Sequence, residues 1–176
     1  ILTGCNTFSI KQTHMLKQLM LLVTVVFCIA GCKSDDAFNY SQDFVKKEQS
    51  LLPDITKTEN LVKIYMETKQ YDSIAIAGGK MEMLVNSKIK EVKENPAPNV
   101  KESDNFKEAC IKYFQFIKSM YSGYKEFGMA QTDVAREEKM KELFEISNKK
   151  TAAINAIQIA QKKFADANGF KLEKIK

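Results

Sequence analysis

The third apolar segment of the chain repeats its large side chains in alternating steps of four and three residues. The members of this stripe are Phe106, Cys110, Tyr113, Ile117, Met120, Tyr124 and Phe127. A helix places residues three and four positions apart on one face, and a mean step of 3.5 residues is typical of helices that pack side by side in a left-handed bundle. The stripe therefore predicts a helix whose buried face packs against other helices.

Three more segments carry apolar residues at helical spacing, over residues 39–69, 74–92 and 132–168. The first contains Pro53, which we expect to kink or split its helix. Short links join the four segments, and no alternating strand pattern competes with them. We predict an all-α domain, an antiparallel up-down four-helix bundle over residues 39–176.

The apolar run from Leu19 to Ala30 has twelve residues, of which only Thr24 is polar. As a helix it spans about 18 Å, against about 30 Å for the hydrocarbon core of a bilayer, so it is too short to cross a membrane. A short apolar run behind Lys17, with small residues at its end, is typical of a secretory signal peptide. Because such a peptide begins at a methionine, we interpret 15–31 as the signal peptide and 1–14 as an upstream extension from an incorrect gene start.

The end of this run, Ile29-Ala30-Gly31-Cys32, resembles the lipobox of bacterial lipoproteins. That resemblance implies recognition of Ile29, Ala30 and Gly31 by a signal peptidase, cleavage before Cys32 and attachment of lipid to the Cys32 thiol. An acylated, flexible tether over residues 32–38 would then lead into the bundle. The alternative is a chance Ala-Gly-Cys sequence after a short buried helix.

The residues after the cysteine, Lys33-Ser34-Asp35-Asp36, are similar to the signal that directs some Gram-negative lipoproteins to the cell surface. This similarity implies a domain lipid-anchored in the outer membrane and facing outwards. The alternative is a solvated charged tether, with the domain on the periplasmic face.

The composition beyond Gly31 excludes several kinds of chemistry. This part has no histidine, the commonest general base and metal ligand, and its 25 basic side chains are nearly balanced by 22 acidic ones. We therefore predict no enzyme activity, no catalytic residues, no cofactor, no metal site and no nucleic-acid partner. Cys110 is the one cysteine after Cys32, and its place on the stripe indicates a small buried apolar group.

The third segment also carries aromatic residues beside its stripe, namely Phe114, Phe116 and Tyr121. If one or more are exposed, they form a patch for a protein partner or ligand. The alternative, which we favour, is a helix with a wide buried face.

Residues 36–170 as a whole resemble small helical surface lipoproteins of Gram-negative bacteria in the order of their parts: lipobox, acidic tether, long helices, the Pro96-Ala97-Pro98 loop and Asn168-Gly169-Phe170. The resemblance implies no catalytic residues. We expect a non-enzymatic binding or accessory module at the outer membrane. The alternative function is a periplasm-facing carrier that holds a small apolar ligand between its helices, in a cavity near Tyr113 and Met120.

Overall fold

The structure, a computed structural model, describes residues 24–27 and 32–174, with side chains from Ser34 to Leu172. The helices are α1 (Cys32–Glu67), α2 (Tyr71–Glu94), α3 (Ser103–Met129), α4 (Asp133–Asn148) and α5 (Lys150–Asn168). Two short strands flank them, β1 (Thr24–Phe27) and β2 (Lys171–Lys174). The predicted all-helical class is confirmed for the domain.

The stripe of the third segment forms the buried face of α3, as predicted. All seven of its residues, from Phe106 to Phe127, are buried. The ring of Phe106 stacks on Phe164 of α5 with 4.9 Å between centroids. Since α3 contacts all four other helices, it is the central element of the core.

The fourth predicted segment forms two helices, because the chain breaks at Lys149 between α4 and α5. Its predicted start is confirmed, since the Thr132 hydroxyl accepts a hydrogen bond from the Ala135 amide at 3.1 Å. Its predicted end is also confirmed, because Gly169 adopts a left-handed conformation with φ 75° and Phe170 packs on Phe164 at 5.7 Å. A left-handed residue at this position closes a helix and turns the following side chain back onto it.

The first helix differs from the expectation in two ways. It runs through Pro53 in one piece, with the ring exposed, where water can satisfy the carbonyl left without an amide donor. It also begins at Cys32, so the expected flexible tether over residues 32–38 is helical. The reason lies in packing, since Ala37 is fully buried and Phe38 contacts Phe170 at 6.1 Å.

The two strands are a second departure from the prediction, which contained none. They pair antiparallel, with Thr24 opposite Lys174 and Phe27 opposite Lys171. β1 lies within the segment that we interpret as signal peptide, and its sequence Thr-Val-Val-Phe is rich in the β-branched and aromatic residues that favour strands.

Backbone contact joins α2 and α3. A Cβ atom added at Gly78 would lie 2.7 Å from the Lys125 amide nitrogen and 2.8 Å from the Tyr121 carbonyl oxygen. One added at Gly128 would collide with the backbone of Tyr71 and Ala75. Two glycines, one from each helix, thus permit an approach that any side chain would prevent.

A pair of neighbouring glycines tests this contact. Gly78→Ala places a methyl group against the backbone of α3, so we expect a loss of about 1–3 kcal/mol in the free energy of unfolding. Gly79→Ala is the matched control, because its Cβ would meet only the flexible end of Lys125, at 3.7 Å. The control should gain up to about 1 kcal/mol from helix propensity. Urea denaturation followed by circular dichroism measures both, and equal effects would contradict the close approach.

Candidate functional site

The residues predicted for lipidation lie at the edge of the described part. Ile29, Ala30 and Gly31 are outside it, as are residues 1–14 and most of the proposed signal peptide. Cys32 begins α1, but its side chain and that of Lys33 are not among those described. Of the proposed export signal, Ser34 is buried and Asp35 and Asp36 are exposed.

The three aromatic residues proposed as a surface patch on the third segment do not form an exposed patch. Phe114 and Tyr121 are 0% and 1% exposed, and Phe116 is half-buried. Phe114 packs against Phe44 of α1, with 5.5 Å between centroids. Because α3 contacts all four other helices, residues on both sides of its stripe are also buried. The predicted wide buried face is therefore confirmed.

The described residues contain an unusual set of polar side chains between α1 and the rest of the domain. We call this set the polar seam. It consists of Ser41, Glu48 and Glu59 on α1, Tyr113, Tyr121 and Tyr124 on α3, and Lys150 and Gln161 on α5. Its simplest contact joins Gln161 Nε2, as donor, to the Ser41 hydroxyl at 3.2 Å.

Glu48 is the most deeply buried carboxyl of the seam, at 5% exposure. The Tyr113 hydroxyl donates a hydrogen bond to its Oε1 at 2.6 Å, while its Oε2 is buried without a partner. Burial disfavours the charged form and raises the pKa of Glu48 to about 7, although the Tyr113 hydrogen bond acts in the opposite direction. The core around Glu48 therefore favours the protonated form of its carboxyl.

Glu59 lies three helical turns further along α1 and is partly buried. The Tyr124 hydroxyl donates to its Oε2 at 3.1 Å. Burial raises the pKa of Glu59, against the opposing effects of the tyrosine hydroxyls and the Lys150 charge. Lys150 is itself 9% exposed, and burial lowers its pKa while Glu59 raises it.

The buried lysine lies just after the helix break at Lys149. Lys150 is the first residue of α5, and its charge interacts with that of Glu59 on α1. A buried cation opposite Glu59 compensates part of the cost of removing both charges from water.

Cys110 of α3 lies beside Glu48 of α1 and is 2% exposed. Burial, followed by the nearby Glu48 carboxyl, raises the pKa of its thiol well above the usual range. A thiol that stays protonated is a poor nucleophile. The interpretation of Cys110 as a small buried apolar group is confirmed.

Two of the open clefts of the described residues lie near polar side chains, and the first borders the seam at Tyr113. One, of about 280 Å³, runs between α3 and α5 and is lined by Ala109, Lys112, Tyr113, Ala153 and Ala156, among others. The other, of about 380 Å³, is polar and lies where the loops before α2 and α4 meet.

Arg136 borders the second cleft, with its guanidinium 3.9 Å above the centre of the Tyr71 ring. Its Nη1 donates to Asp133 at 2.7 Å, and its Nε is buried without a partner. The ring and Asp133 together fix the guanidinium plane at the rim of the cleft.

Sequence reasoning missed the two glutamates, although the sequence contains a signal for them. Phe44, Glu48, Leu51, Ile55, Glu59 and Val62 follow each other in steps of four and three residues. Both carboxyls therefore occupy positions of the buried stripe of α1. The sequence does not show what satisfies them, since Tyr113 and Tyr124 are 65 residues further along the chain.

Among the described residues, none of the helices combines the length and the apolar character needed to cross a membrane. The same part of the chain contains no group of three or more His, Cys, Asp or Glu side chains placed to hold a metal ion. The chain matches no protein-family model, no curated protein and no solved structure.

The buried carboxyl of Glu48 makes stability depend on pH. Its pKa is about 7 in the folded chain against an ordinary 4.5, so unfolding releases a proton between these pH values. As the pH rises through this window, the free energy of unfolding therefore falls by about 1.4 kcal/mol per pH unit, about 3 kcal/mol in all. Glu48→Gln keeps an acceptor for Tyr113 and cannot ionise, so its stability relative to wild type should rise over this window. Urea titrations at pH 4 to 8 measure the difference, and parallel profiles would contradict it.

The Glu59 and Lys150 pair predicts a non-additive effect. Glu59→Gln or Lys150→Met alone leaves one buried charge uncompensated, which typically costs about 3–5 kcal/mol. The double variant removes both charges, so its loss should be clearly smaller than the sum of the single losses. A double-mutant cycle by urea denaturation at pH 7 measures this coupling. Additive losses would mean that the two charges do not interact.

Proposed function

We propose that the protein is a lipoprotein, anchored in the outer membrane through acylated Cys32, that acts as a non-enzymatic binding or accessory module. The observation that carries the proposal is the lipobox-like sequence Ile29-Ala30-Gly31-Cys32 at the end of a short apolar run behind Lys17. Two or more acyl chains suffice for stable anchoring without a membrane-spanning helix.

We infer that the domain behind the anchor is an antiparallel four-helix bundle. The Ser122 hydroxyl bonds Glu82 at 2.8 Å and Lys118 bonds Asn86 at 2.9 Å. The contacted residue number on α3 thus decreases as the residue number on α2 increases, as expected for antiparallel helices. The bonds of Glu48 and Glu59, by contrast, advance by eleven residues on both α1 and α3, as expected for helices of the same direction.

The two remaining helices act together as the fourth member of this bundle. Lys139 of α4 pairs with Glu126 at 3.1 Å, and Leu143 packs at Gly123. Asn168 of α5 bonds the Lys101 carbonyl at 2.9 Å, beyond the start of α3. As the residue number increases along α4 and α5, the residue contacted near α3 decreases in number. This supports an antiparallel arrangement in which α4 and α5 together form the fourth helix of the bundle, interrupted once at Lys149.

The helical start of α1 supports an anchor without a long linker. Because α1 begins at Cys32, lipid on that residue would hold the near end of the bundle close to the membrane surface. With 36 residues, α1 reaches about 54 Å from the anchor. The cleft beside Arg136 lies at the far end of the bundle, where a partner has open access.

The outward orientation rests on Lys33-Ser34-Asp35-Asp36. The exposed Asp35 and Asp36 are available to a sorting factor, whereas the buried Ser34 is available only while α1 is not yet docked. The alternative function, a periplasm-facing carrier of a small apolar ligand, has one supporting observation. The cleft at Tyr113 has alanines along its wall, although it is an open cleft and not the enclosed cavity that the sequence suggested.

A pair of cysteine variants tests the anchor. Cys32→Ser removes the only thiol that the proposal acylates, so we expect the precursor to stay uncleaved, without lipid, and to be missing from the outer-membrane fraction. Cys28→Ser is the matched control, four residues upstream, and should be processed normally. The intact mass of each purified protein shows both the cleavage position and the acyl groups. Normal processing of Cys32→Ser, or loss of processing in Cys28→Ser, would contradict the proposal.

Protease treatment of intact cells separates the two orientations. We expect the bundle to be digested while a periplasmic marker stays intact. Protection until the outer membrane is opened would contradict the surface position and favour the periplasmic carrier.

A further inference from the structure

The five helices are held together in two different ways. Backbone contact at Gly78 and Gly128 joins α2 to α3, and the charges of Glu82 and Lys125, which pair across these two helices at 3.1 Å, compensate each other. The contact of α1 with α3 and α5 instead contains Ser41, Glu48 and Glu59 with their partners. The stability of this contact therefore depends on the ionisation of groups within it.

Glu48 is the seam member for which ionisation is least compensated. Its Oε2 is buried without a partner, and its Oε1 accepts only from Tyr113. The ionisable groups around it are Tyr113 and Cys110 from α3, with Asp43 and Lys47 paired to each other on α1 itself. From α5, the neutral amide of Gln161 bonds Ser41, seven residues before Glu48, and the end of α2 presents the amide of Asn95 to Asp43 at 3.0 Å. No Lys or Arg of the described residues forms an ion pair with Glu48.

We propose that α1 is a releasable helix, which undocks from α2, α3 and α5 as a unit when the buried carboxyl of Glu48 ionises, while α2 and α3 stay joined. Opening carries Glu48 into water, where both carboxylate oxygens are hydrated. The same opening uncovers the aromatic face of α3 around Phe114 and Tyr113, which is buried against Phe44 in the docked state. The inference concerns α1 alone and does not depend on whether Cys32 is acylated.

The direction of the pH effect follows from the folded environment. Burial raises the pKa of Glu48 to about 7, so the docked state favours the protonated acid and the open state favours the carboxylate above pH 4.5. Opening therefore becomes easier as the pH rises towards and through neutrality. Burial also raises the pKa of Glu59, although the tyrosine hydroxyls and the Lys150 charge act in the opposite direction, so Glu59 adds to the effect in the same sense.

Cys110 is a natural reporter of this opening. It lies on α3 beneath α1, is 2% exposed and interacts electrostatically with Glu48, Asp43 and Lys47. A thiol reagent reaches it only when α1 moves away. In the full chain, mass spectrometry of the Cys110 peptide separates its modification from that of Cys5, Cys28 and Cys32.

The experiment measures the rate at which iodoacetamide labels Cys110 between pH 5 and pH 8. Each rate is divided by that of a synthetic peptide of residues 107–113 at the same pH, which removes the effect of thiol ionisation. We expect the ratio to rise by roughly ten- to a hundred-fold over this range. In Glu48→Gln the ratio should rise clearly less than in wild type, whereas the matched surface variant Glu67→Gln on α1 should behave as wild type.

Two further results decide the proposal. Tyr113→Phe removes the hydrogen bond that favours the carboxylate and should extend the rise to higher pH, which keeps the test valid if Glu48→Gln folds poorly. Low concentrations of urea should increase labelling less steeply than they promote complete unfolding, because release of one helix exposes less surface. A ratio independent of pH, an unchanged rise in Glu48→Gln, or a urea dependence equal to that of complete unfolding would overturn the proposal.

Discussion

The close approach of α2 and α3 is the constraint on which the arrangement of the other helices depends. Gly78 and Gly128 bring the two backbones into contact, and side chains on both flanks, such as Glu82 with Lys125 at 3.1 Å, fix the register. With this pair set, the broad apolar face of α3 remains open on its other side. That face is what α1, α4 and α5 cover.

The covering of α3 by α1 is not purely apolar. Aromatic contacts of Phe44 with Phe106 and Phe114 provide the apolar part, whereas Glu48 and Glu59 bring carboxyls into the same interface. Buried polar groups weaken an interface when their ionisation state changes, since the desolvation cost then lacks compensation. A lipoprotein anchored through the first residue of α1 would thus be joined to its membrane by the helix whose attachment is most sensitive to pH.

The sequence predicted what depends on local spacing and failed where distant residues decide. The stripe from Phe106 to Phe127, the Thr132 cap and the Gly169 end follow from spacing and turn chemistry. The burial of Lys150 was missed, because the charge that compensates it belongs to Glu59, far away in the chain. The patch at Phe114 and Tyr121 was wrong as a surface for a related reason, since α1 and the neighbouring helices together determine how much of α3 is covered.

On α1, Glu48 carries into the core a carboxyl that burial favours in its protonated form. The most direct measurement of this is a carbon-13 NMR titration of the glutamate side-chain carboxyls, with the Glu48 signal assigned from the Glu48→Gln variant. We expect the Glu48 signal to titrate near pH 7, well above the ordinary value of 4.5. A Glu48 signal that titrates together with those of the exposed glutamates would show that the carboxyl is hydrated, and would contradict the polar seam.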